Sequence, residues 1–408
     1  MKIEIGNLNS EQSKEFLEFL EAGMRQRMFE IPSGSNTAYF DSDQNYHIEI
    51  NDVLFQGTYH IRWAITLNSK GIIKSIEVDL ADPKSKKRKW QVYAQQAISD
   101  ILSSILTRKR KPILTRQYYS YIGATLDGEY WNNQMRFAPL LATEEKPYLI
   151  HDERIFVVDQ IVQAIDSEHG RRLSKNISDR FIQKVCLLLD VSIEKNDDFA
   201  FYWTSDYSTE TGKVQYKRVA RGYNDLEKIV KLPKKGELCQ LGKYSGTVYD
   251  TQLYAGRLLT LPKEFRKIMA GYKKATVEER LALDRCASLY YIGKVAGKKY
   301  PTVKLSYEIA SAESIAHSLD AYNKSFSEFI RVNLDEPKKF DQLLKFLHGK
   351  VRSAHFHAGE FVFGDMDILT YDISDMQSSY LHNIENEAHQ IIRKAIMNWI
   401  LNTFTTKQ

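Results

Sequence analysis

Residues 337–360 read Pro337-Lys-Lys-Phe-Asp-Gln-Leu-Leu-Lys-Phe-Leu-His-Gly-Lys-Val-Arg352-Ser-Ala-His-Phe-His357-Ala-Gly359-Glu. In the first part, apolar residues recur every three or four positions, which is the spacing of one buried helix face. Pro337 predicts the start of the helix and Gly359 predicts its end. The stretch is therefore a long amphipathic helix that carries an arginine five residues before a histidine.

Three further helices are predicted in the same part of the chain. The first starts with the capping box Thr276-Val-Glu-Glu279, in which the side chain of each end residue accepts a hydrogen bond from the backbone N–H of the other. Gly297 predicts the end of this helix. The second follows Pro301, and the last covers about 376–404. Four long helices with short connections predict an all-α bundle over residues 251–408.

The N-terminal part has the period of β-strands. Apolar and polar residues alternate over 46–50, 59–67 and 72–80, with a turn signal at 68–71, which predicts an antiparallel meander. A short strand and a helix precede this meander. An amphipathic helix over 90–107 and a further strand follow it, so residues 1–145 are expected to form a mixed α/β domain.

Residues 146–250 form a middle segment that is predicted to be helical first and irregular afterwards. Two helix-like stretches, 155–165 and 177–189, are joined by a polar connection, and the remainder is polar and irregular. The whole chain is therefore expected to be α+β, with a mixed α/β region with antiparallel strands first and the helical bundle last.

The composition excludes several classes of protein. The chain of 408 residues is too long for one core, and its 43% hydrophobic and 27% charged residues are typical of a globular protein. No apolar run is long enough to cross a bilayer and the start lacks the apolar core of a signal peptide, so we expect a cytoplasmic location without membrane association. The three cysteines are widely spaced, which predicts reduced thiols. No metal-ligand or nucleotide-binding motif occurs, and we expect no metal and no cofactor.

The net charge of +5 is modest, but basic residues are clustered on both sides of the helix at 90–107. The clusters are weak candidates for nucleic-acid binding through Lys86, Lys87, Arg88, Lys89, Arg108, Lys109, Arg110 and Lys111. They either hold phosphates or keep the helix ends solvated. A surface that stacks single-stranded nucleic acid is suggested near the second cluster by Tyr118, Tyr119, Tyr121 and Trp131, although aromatics that alternate in a strand more often belong to the core.

A polar stripe accompanies the apolar face of the motif-bearing helix. Its members are spaced by three and four residues and share one face: Lys345, His348, Arg352 and His355. His357 lies roughly 140° from Arg352 around a regular helix. The two converge if the helix ends at Gly359 or if a second copy of the chain brings its own pair across an interface. A permanently charged arginine beside a histidine that exchanges protons near neutral pH is a minimal set for cutting phosphodiesters.

This pattern resembles the R-x4–6-H motif of HEPN domains. Within that superfamily, Arg352-Ser353 followed by His357-Ala-Gly359 is similar to the Apea-like HEPN domains of bacterial anti-phage proteins. The resemblance covers roughly residues 255–405, from the helices before the motif to the closing helix. The chain departs from the pattern at His355 and at the alanine before Gly359, which leaves open which histidine acts.

The resemblance implies metal-independent cleavage of RNA by a homodimer formed through the C-terminal bundle. His357 would be the general acid or base and Arg352 would hold the scissile phosphate, giving a 2′,3′-cyclic phosphate and a 5′-hydroxyl. Glu313 lies on the apolar stripe of its helix, so its carboxylate must be paired or neutral, and it resembles the HEPN acidic residue that orients the arginine. Supporting roles are expected for Glu313, Ser353, His355 and His348.

The expected protein is a regulated toxin or effector of bacterial anti-phage defence. Its N-terminal domain would sense or recruit a phage-derived or neighbouring-protein trigger, by analogy with abortive-infection proteins. The alternative is a non-catalytic dimerisation module that binds a nucleotide or a partner, with Arg352 as a phosphate contact. A DNA-binding regulator that uses the basic clusters is a third possibility and predicts strongly salt-dependent binding.

Overall fold

A computed structural model describes most of the chain, and its residues divide into two compact units. One unit consists of Met1–Ile113 and Val162–Leu173, and the other of Leu114–Ile161 and Ser174–Gln408. The described residues are 2–5, 8–9, 13, 16–17, 20, 29–30, 36–55, 59–80, 92, 96, 99–100, 110–139, 141–142, 153–164, 167–195, 201–208, 213–220, 231–235, 240–241, 258–297, 299–334, 340–363, 365 and 376–406.

The first unit contains a six-stranded antiparallel sheet in the order β1-β6-β5-β4-β2, with β3 paired to β4. The strands are β1 Lys2–Glu4, β2 Phe29–Glu30, β3 Asn36–Phe40, β4 Tyr46–Phe55, β5 Tyr59–Leu67 and β6 Ile73–Leu80. Alternate residues of β5, namely Trp63, Ile65 and Leu67, are buried on one face. Their neighbours on the other face are polar or small, which explains the period of two in the sequence.

The second unit has a five-stranded sheet in the order β13-β7-β12-β10-β9. The remaining strands form the pairs β8–β17, β11–β16 and β14–β15. The strand bounds are β7 Lys111–Ile122, β8 Thr125–Asp127, β9 Tyr130–Trp131, β10 Met135–Pro139, β11 Leu141–Ala142, β12 Glu153–Ala164, β13 Ile193–Lys195, β14 Phe201–Ser208, β15 Lys213–Ala220, β16 Gln240–Leu241 and β17 Leu258–Thr260.

The C-terminal part of the second unit is helical. Its core is built from apolar residues of several helices, including Ile309 and Ala312 on one helix and Trp399 on the last, each at most 3% exposed. None of the described helices is long and apolar enough to span a membrane. The labelled helices of the chain are α1 Ser167–Leu189, α2 Phe265–Lys274, α3 Val277–Ala296, α4 Pro301–Ser318, α5 Phe326–Leu334, α6 Asp341–Phe346, α7 Ala354–Ala358 and α8 Met376–Phe404.

Several predictions made from the sequence are confirmed. The N-terminal antiparallel strands and the C-terminal helical region give the expected α+β class. Both bonds of the Thr276 capping box are present, and Gly297 caps the end of α3. Cys186 and Cys286 are buried free thiols, and burial raises the pKa of each to about 12.

Other predictions are wrong. Residues 155–165 belong mainly to strand β12 rather than a helix, because 155–160 are buried on both faces and so lack the alternation of a half-exposed strand. The polar residues 167–172 are the start of α1, not a connection. Residues 201–220 include the hairpin β14–β15. The described part of the motif-bearing helix starts at Asp341 after Phe340, and the predicted start at Pro337 lies outside the described residues. Helices α2 and α5 were not predicted.

Gly271 allows the close approach of α2 to the end of α8. A Cβ added there would lie 1.8 Å from the backbone oxygen of Phe404. We expect Gly271→Ala to lower the stability of the second unit, at the upper end of the ~1–3 kcal/mol typical of overpacking, because a backbone atom cannot rotate away. The midpoint of thermal unfolding measures the effect. Gly349→Ala is the matched control: a Cβ there meets nothing within 4 Å, so an equal loss would contradict the steric explanation.

Candidate functional site

The motif lies on one continuous helical run over 341–358, here called the motif helix. It consists of α6, a π-helical segment Leu347–Ser353, and α7. Gly359 ends it in the left-handed conformation with φ +70°, and its N–H donates to the backbone oxygen of His355 at 3.0 Å. The helix therefore ends at Gly359 as expected, but it does not break between Arg352 and His357. Arg352 lies within the π segment. Such wider helical turns are rare in proteins, and those that do occur are often found at functional sites.

Glu313 of α4 joins two residues of the motif helix. Its carboxylate, 9% exposed, lies 3.0 Å from Nε of Arg352 and 3.1 Å from Nε2 of His348. The expectation that this carboxylate is paired is confirmed. The two partners are four residues apart and so lie on the same helix face. A single buried acid thus holds a permanent cation and a histidine side by side.

Within the described residues, the remaining donors of Arg352 have no hydrogen-bond partner and can bind a ligand. Among the described residues, Glu313 is the carboxylate within ion-pair distance of this guanidinium. The contact is Coulombic, because the buried Nε atom makes no aligned hydrogen bond. The guanidinium carbon lies 5.6 Å from the ring centre of Phe356, which is 42% exposed, and Tyr307 contacts that ring edge-on. The guanidinium is oriented on two sides, while its outer N–H groups can donate hydrogen bonds to an anion.

The two C-terminal histidines have different environments. Nδ1 of His355 lies 3.3 Å from the backbone oxygen of Glu360, and its ring packs against Phe361. His357 is exposed in the last turn, and within the described part of the chain no hydrogen bond or ion pair holds its ring. Ser353 is half-buried at the end of the π segment. His355 is therefore packed beside the helix end, whereas His357 is available to a ligand or a second chain.

The weak nucleic-acid candidates are mostly outside the described residues. Lys86, Lys87, Arg88, Lys89, Arg108 and Lys109 lie there, as does most of the predicted helix 90–107. Arg110 and Lys111 are exposed at the start of β7. The suggested aromatic stacking surface is wrong for Tyr119 and Tyr121, each 2% exposed in the core.

A second polar cluster, which the sequence analysis missed, lies in the same unit. Nδ1 of His389 on α8 is 3.0 Å from both carboxylate oxygens of the fully buried Glu308, and Nε2 is 3.0 Å from Asp190. Asp190 also accepts from the Tyr290 hydroxyl at 2.5 Å and pairs with Lys294 at 2.6 Å. We call Asp190, Tyr290, Lys294, Glu308 and His389 the His389 network.

The charges of the His389 network stabilise one another. Burial of His389 opposes its charge, but contacts with Asp190 and Glu308 outweigh burial and raise its pKa above 6.5. Burial would likewise raise the pKa of Asp190, but His389 and Lys294 outweigh it and hold this pKa well below 3.8. Glu308 is flanked by Leu305 and Ala312 on the apolar stripe of α4. Like Glu313, it is a carboxylate on a buried helix face, and its position in the sequence therefore also indicates that it must be paired or neutral.

No protein-family model matches this chain, and no curated protein or solved structure matches it either. Among the described residues, no group of three or more His, Cys, Asp or Glu side chains is arranged to hold a metal ion. The function must therefore be inferred from the geometry of the site itself.

Proposed function

We propose that the protein is a metal-independent endoribonuclease of the HEPN type, with its catalytic site on the motif helix. The observation that carries the proposal is the placement of Arg352 against the buried carboxylate of Glu313, 3.0 Å away, on a helix that ends one residue after His357. The carboxylate limits the side-chain freedom of Arg352 without covering its outer donors. Such preorganisation is what a group that stabilises a charged transition state needs.

The proposed reaction is transesterification within the RNA backbone. Arg352 binds the scissile phosphate and stabilises its developing charge, and the exposed His357 exchanges protons with the reacting oxygens. The 2′-oxygen attacks phosphorus, the bond to the 5′-oxygen breaks, and the products carry a 2′,3′-cyclic phosphate and a 5′-hydroxyl. All steps use groups of the chain and of the substrate.

We also propose that the protein is a homodimer and that the N-terminal domain, residues 1–145, controls its ribonuclease activity. Within the described residues, no hydrogen bond or ion pair holds the ring of His357, and the ring of Phe356 is exposed. Both features suit a surface that a second copy of the chain completes. Uncontrolled RNA cleavage harms a cell, so we propose that the protein is an effector of anti-phage defence whose activity a phage-derived or neighbouring protein releases. This biological role rests on analogy with abortive-infection proteins.

Cleavage of RNA in the presence of a chelator tests the proposal. We expect the activated wild type to cut RNA with EDTA present and to leave 2′,3′-cyclic phosphate ends, while the same sequence with 2′-deoxy sugars binds without reacting. His357→Ala should lower the rate about 10²–10⁴-fold, as for loss of an acid–base group. The matched control is His382→Ala, an exposed histidine of α8, which should cut at the wild-type rate. Cutting of the deoxy substrate, or no cutting by the activated wild type, would contradict the proposal.

One observation favours the non-catalytic alternative. Because nothing in the described residues orients His357, the Glu313–Arg352 pair could serve as a phosphate contact of a binding module. In that case Arg352→Ala would weaken binding of a nucleotide or RNA, whereas His357→Ala would change nothing. Measuring RNA binding and RNA cleavage for both variants separates the alternatives.

A further inference from the structure

We infer that His348, which lies outside the R-x4-H motif, is the general base that activates the 2′-hydroxyl in the proposed reaction. This inference rests on the proposed function and names the chain's own second acid–base group. Cleavage of RNA to a cyclic phosphate needs one group to accept the 2′-hydroxyl proton and another to protonate the departing 5′-oxygen. The motif alone provides one histidine per chain for these two tasks.

Glu313 determines which nitrogen of His348 can act. Nε2 of His348 lies 3.1 Å from a carboxylate oxygen of Glu313, at ion-pair distance without an aligned hydrogen bond. A carboxylate oxygen carries only lone pairs and repels another lone pair, so the contact favours the tautomer with the proton on Nε2. In the neutral ring Nδ1 then keeps its lone pair. Within the described residues no side chain or backbone group occupies Nδ1, and the side chain is 51% exposed. A carboxylate that sets the tautomer of a base is the arrangement of acid–base triads.

The position of His348 relative to Arg352 fits this task. The two side chains share one helix face and one carboxylate, so a phosphate bound by Arg352 lies beside His348. Along the helix axis, Arg352 lies between His348, which is four residues before it in the same π segment, and His357, which is five residues after it. Because the helix does not break, His357 of the same chain points about 140° away from Arg352, so the His357 that flanks the bound phosphate opposite His348 is the one that the second copy of the proposed homodimer brings.

The step balances in atoms and charge. Nδ1 of His348 takes the proton of the 2′-hydroxyl while the 2′-oxygen forms its bond to phosphorus. The bond between phosphorus and the 5′-oxygen breaks, and a protonated His357 gives its proton to that oxygen. Glu313 keeps its charge throughout and acts as a positioning residue.

Two substrates distinguish the roles of the two histidines. One is ordinary RNA; the other has sulfur in place of the 5′-oxygen at the cleavage site, a leaving group that needs no protonation. We expect His348→Gln to lower cleavage of both substrates about 10²–10⁴-fold. His357→Ala should be slow on ordinary RNA and close to wild type on the sulfur substrate. The control His382→Ala should match wild type on both.

The outcomes separate this inference from the proposed function. If His348→Gln cuts both substrates at the wild-type rate while His357→Ala is slow, the inference is overturned and the ribonuclease stands. If the sulfur substrate restores His348→Gln, the assignment of the base is overturned. If the activated wild type cuts neither substrate, the proposed function fails and this inference with it.

A spectroscopic readout tests the tautomer without activity. The ¹⁵N shifts of the His348 ring report which nitrogen is protonated, and we expect the proton of the neutral ring on Nε2. Glu313→Gln should shift these resonances toward a mixture of tautomers while the backbone spectrum shows a folded protein. A neutral wild-type ring protonated on Nδ1 would overturn the inference.

Discussion

Arg352→Lys is expected to lower RNA cleavage by about 100–1,000-fold with little loss of stability, which is the size of effect seen when one preorganised donor to a developing charge is removed. A lysine keeps the positive charge but offers one ammonium group instead of a planar fork, so it can neither hold a phosphate bidentately nor stack on Phe356. The rate under single-turnover conditions measures the loss of transition-state stabilisation.

The matched control is Arg285→Lys. Arg285 is an exposed residue of α3 whose guanidinium donates to Ser318 at 3.3 Å, so the same change is made away from the site. We expect the control to cut at the wild-type rate. Equal rates for Arg352→Lys and the wild type would show that charge alone suffices at this position and would contradict the preorganisation argument.

His389→Ala is expected to be the most destabilising of the substitutions considered. It leaves the carboxylate of Glu308, which is 0% exposed, without its hydrogen-bonded cation. Removal of one partner from a buried ion pair costs about 3–5 kcal/mol, because the other charge stays buried and uncompensated. The urea midpoint followed by circular dichroism measures the loss. His382→Ala, on the exposed side of the same helix, should leave the midpoint unchanged.

The contribution of His389 should depend on pH in a defined direction. Its pKa is raised on folding, so its stabilisation is fully present below about pH 6.5 and is lost as the pH rises through the folded-state pKa. The pKa of Asp190 is lowered, so its contribution is present above about pH 3.8 and is lost as the pH falls through the folded-state pKa. The difference in midpoint between wild type and His389→Ala should therefore shrink as the pH rises from about 6.5 through the folded-state pKa of His389. A constant difference over this range would contradict the ionic account of the network.

The sequence by itself determined the α+β class and most local boundaries of the C-terminal helices. The capping box at Thr276 and the glycines at 297 and 359 involve neighbouring residues only, so their outcome is encoded locally. The same holds for the alternation in β5, whose buried face is visible as a period of two.

Other features depended on neighbours far apart in the chain. Residues 155–160 are buried on both faces, and such a run has the same appearance in a buried strand and a buried helix. The π segment that contains Arg352 has no periodic signal in the sequence. The sequence indicates that Glu313 is paired, but it does not indicate that His348 is one of the partners.

Only the tertiary structure decided which charged residues meet. Glu308 lies on α4 and Asp190 follows the end of α1, and both contact His389 of α8, a combination that no spacing in the sequence indicates. In the same way, α4 brings Glu313 to the face of the motif helix that carries Arg352 and His348. The physical reason is that buried charges must find opposite charges, and the packing of helices determines which ones are within reach.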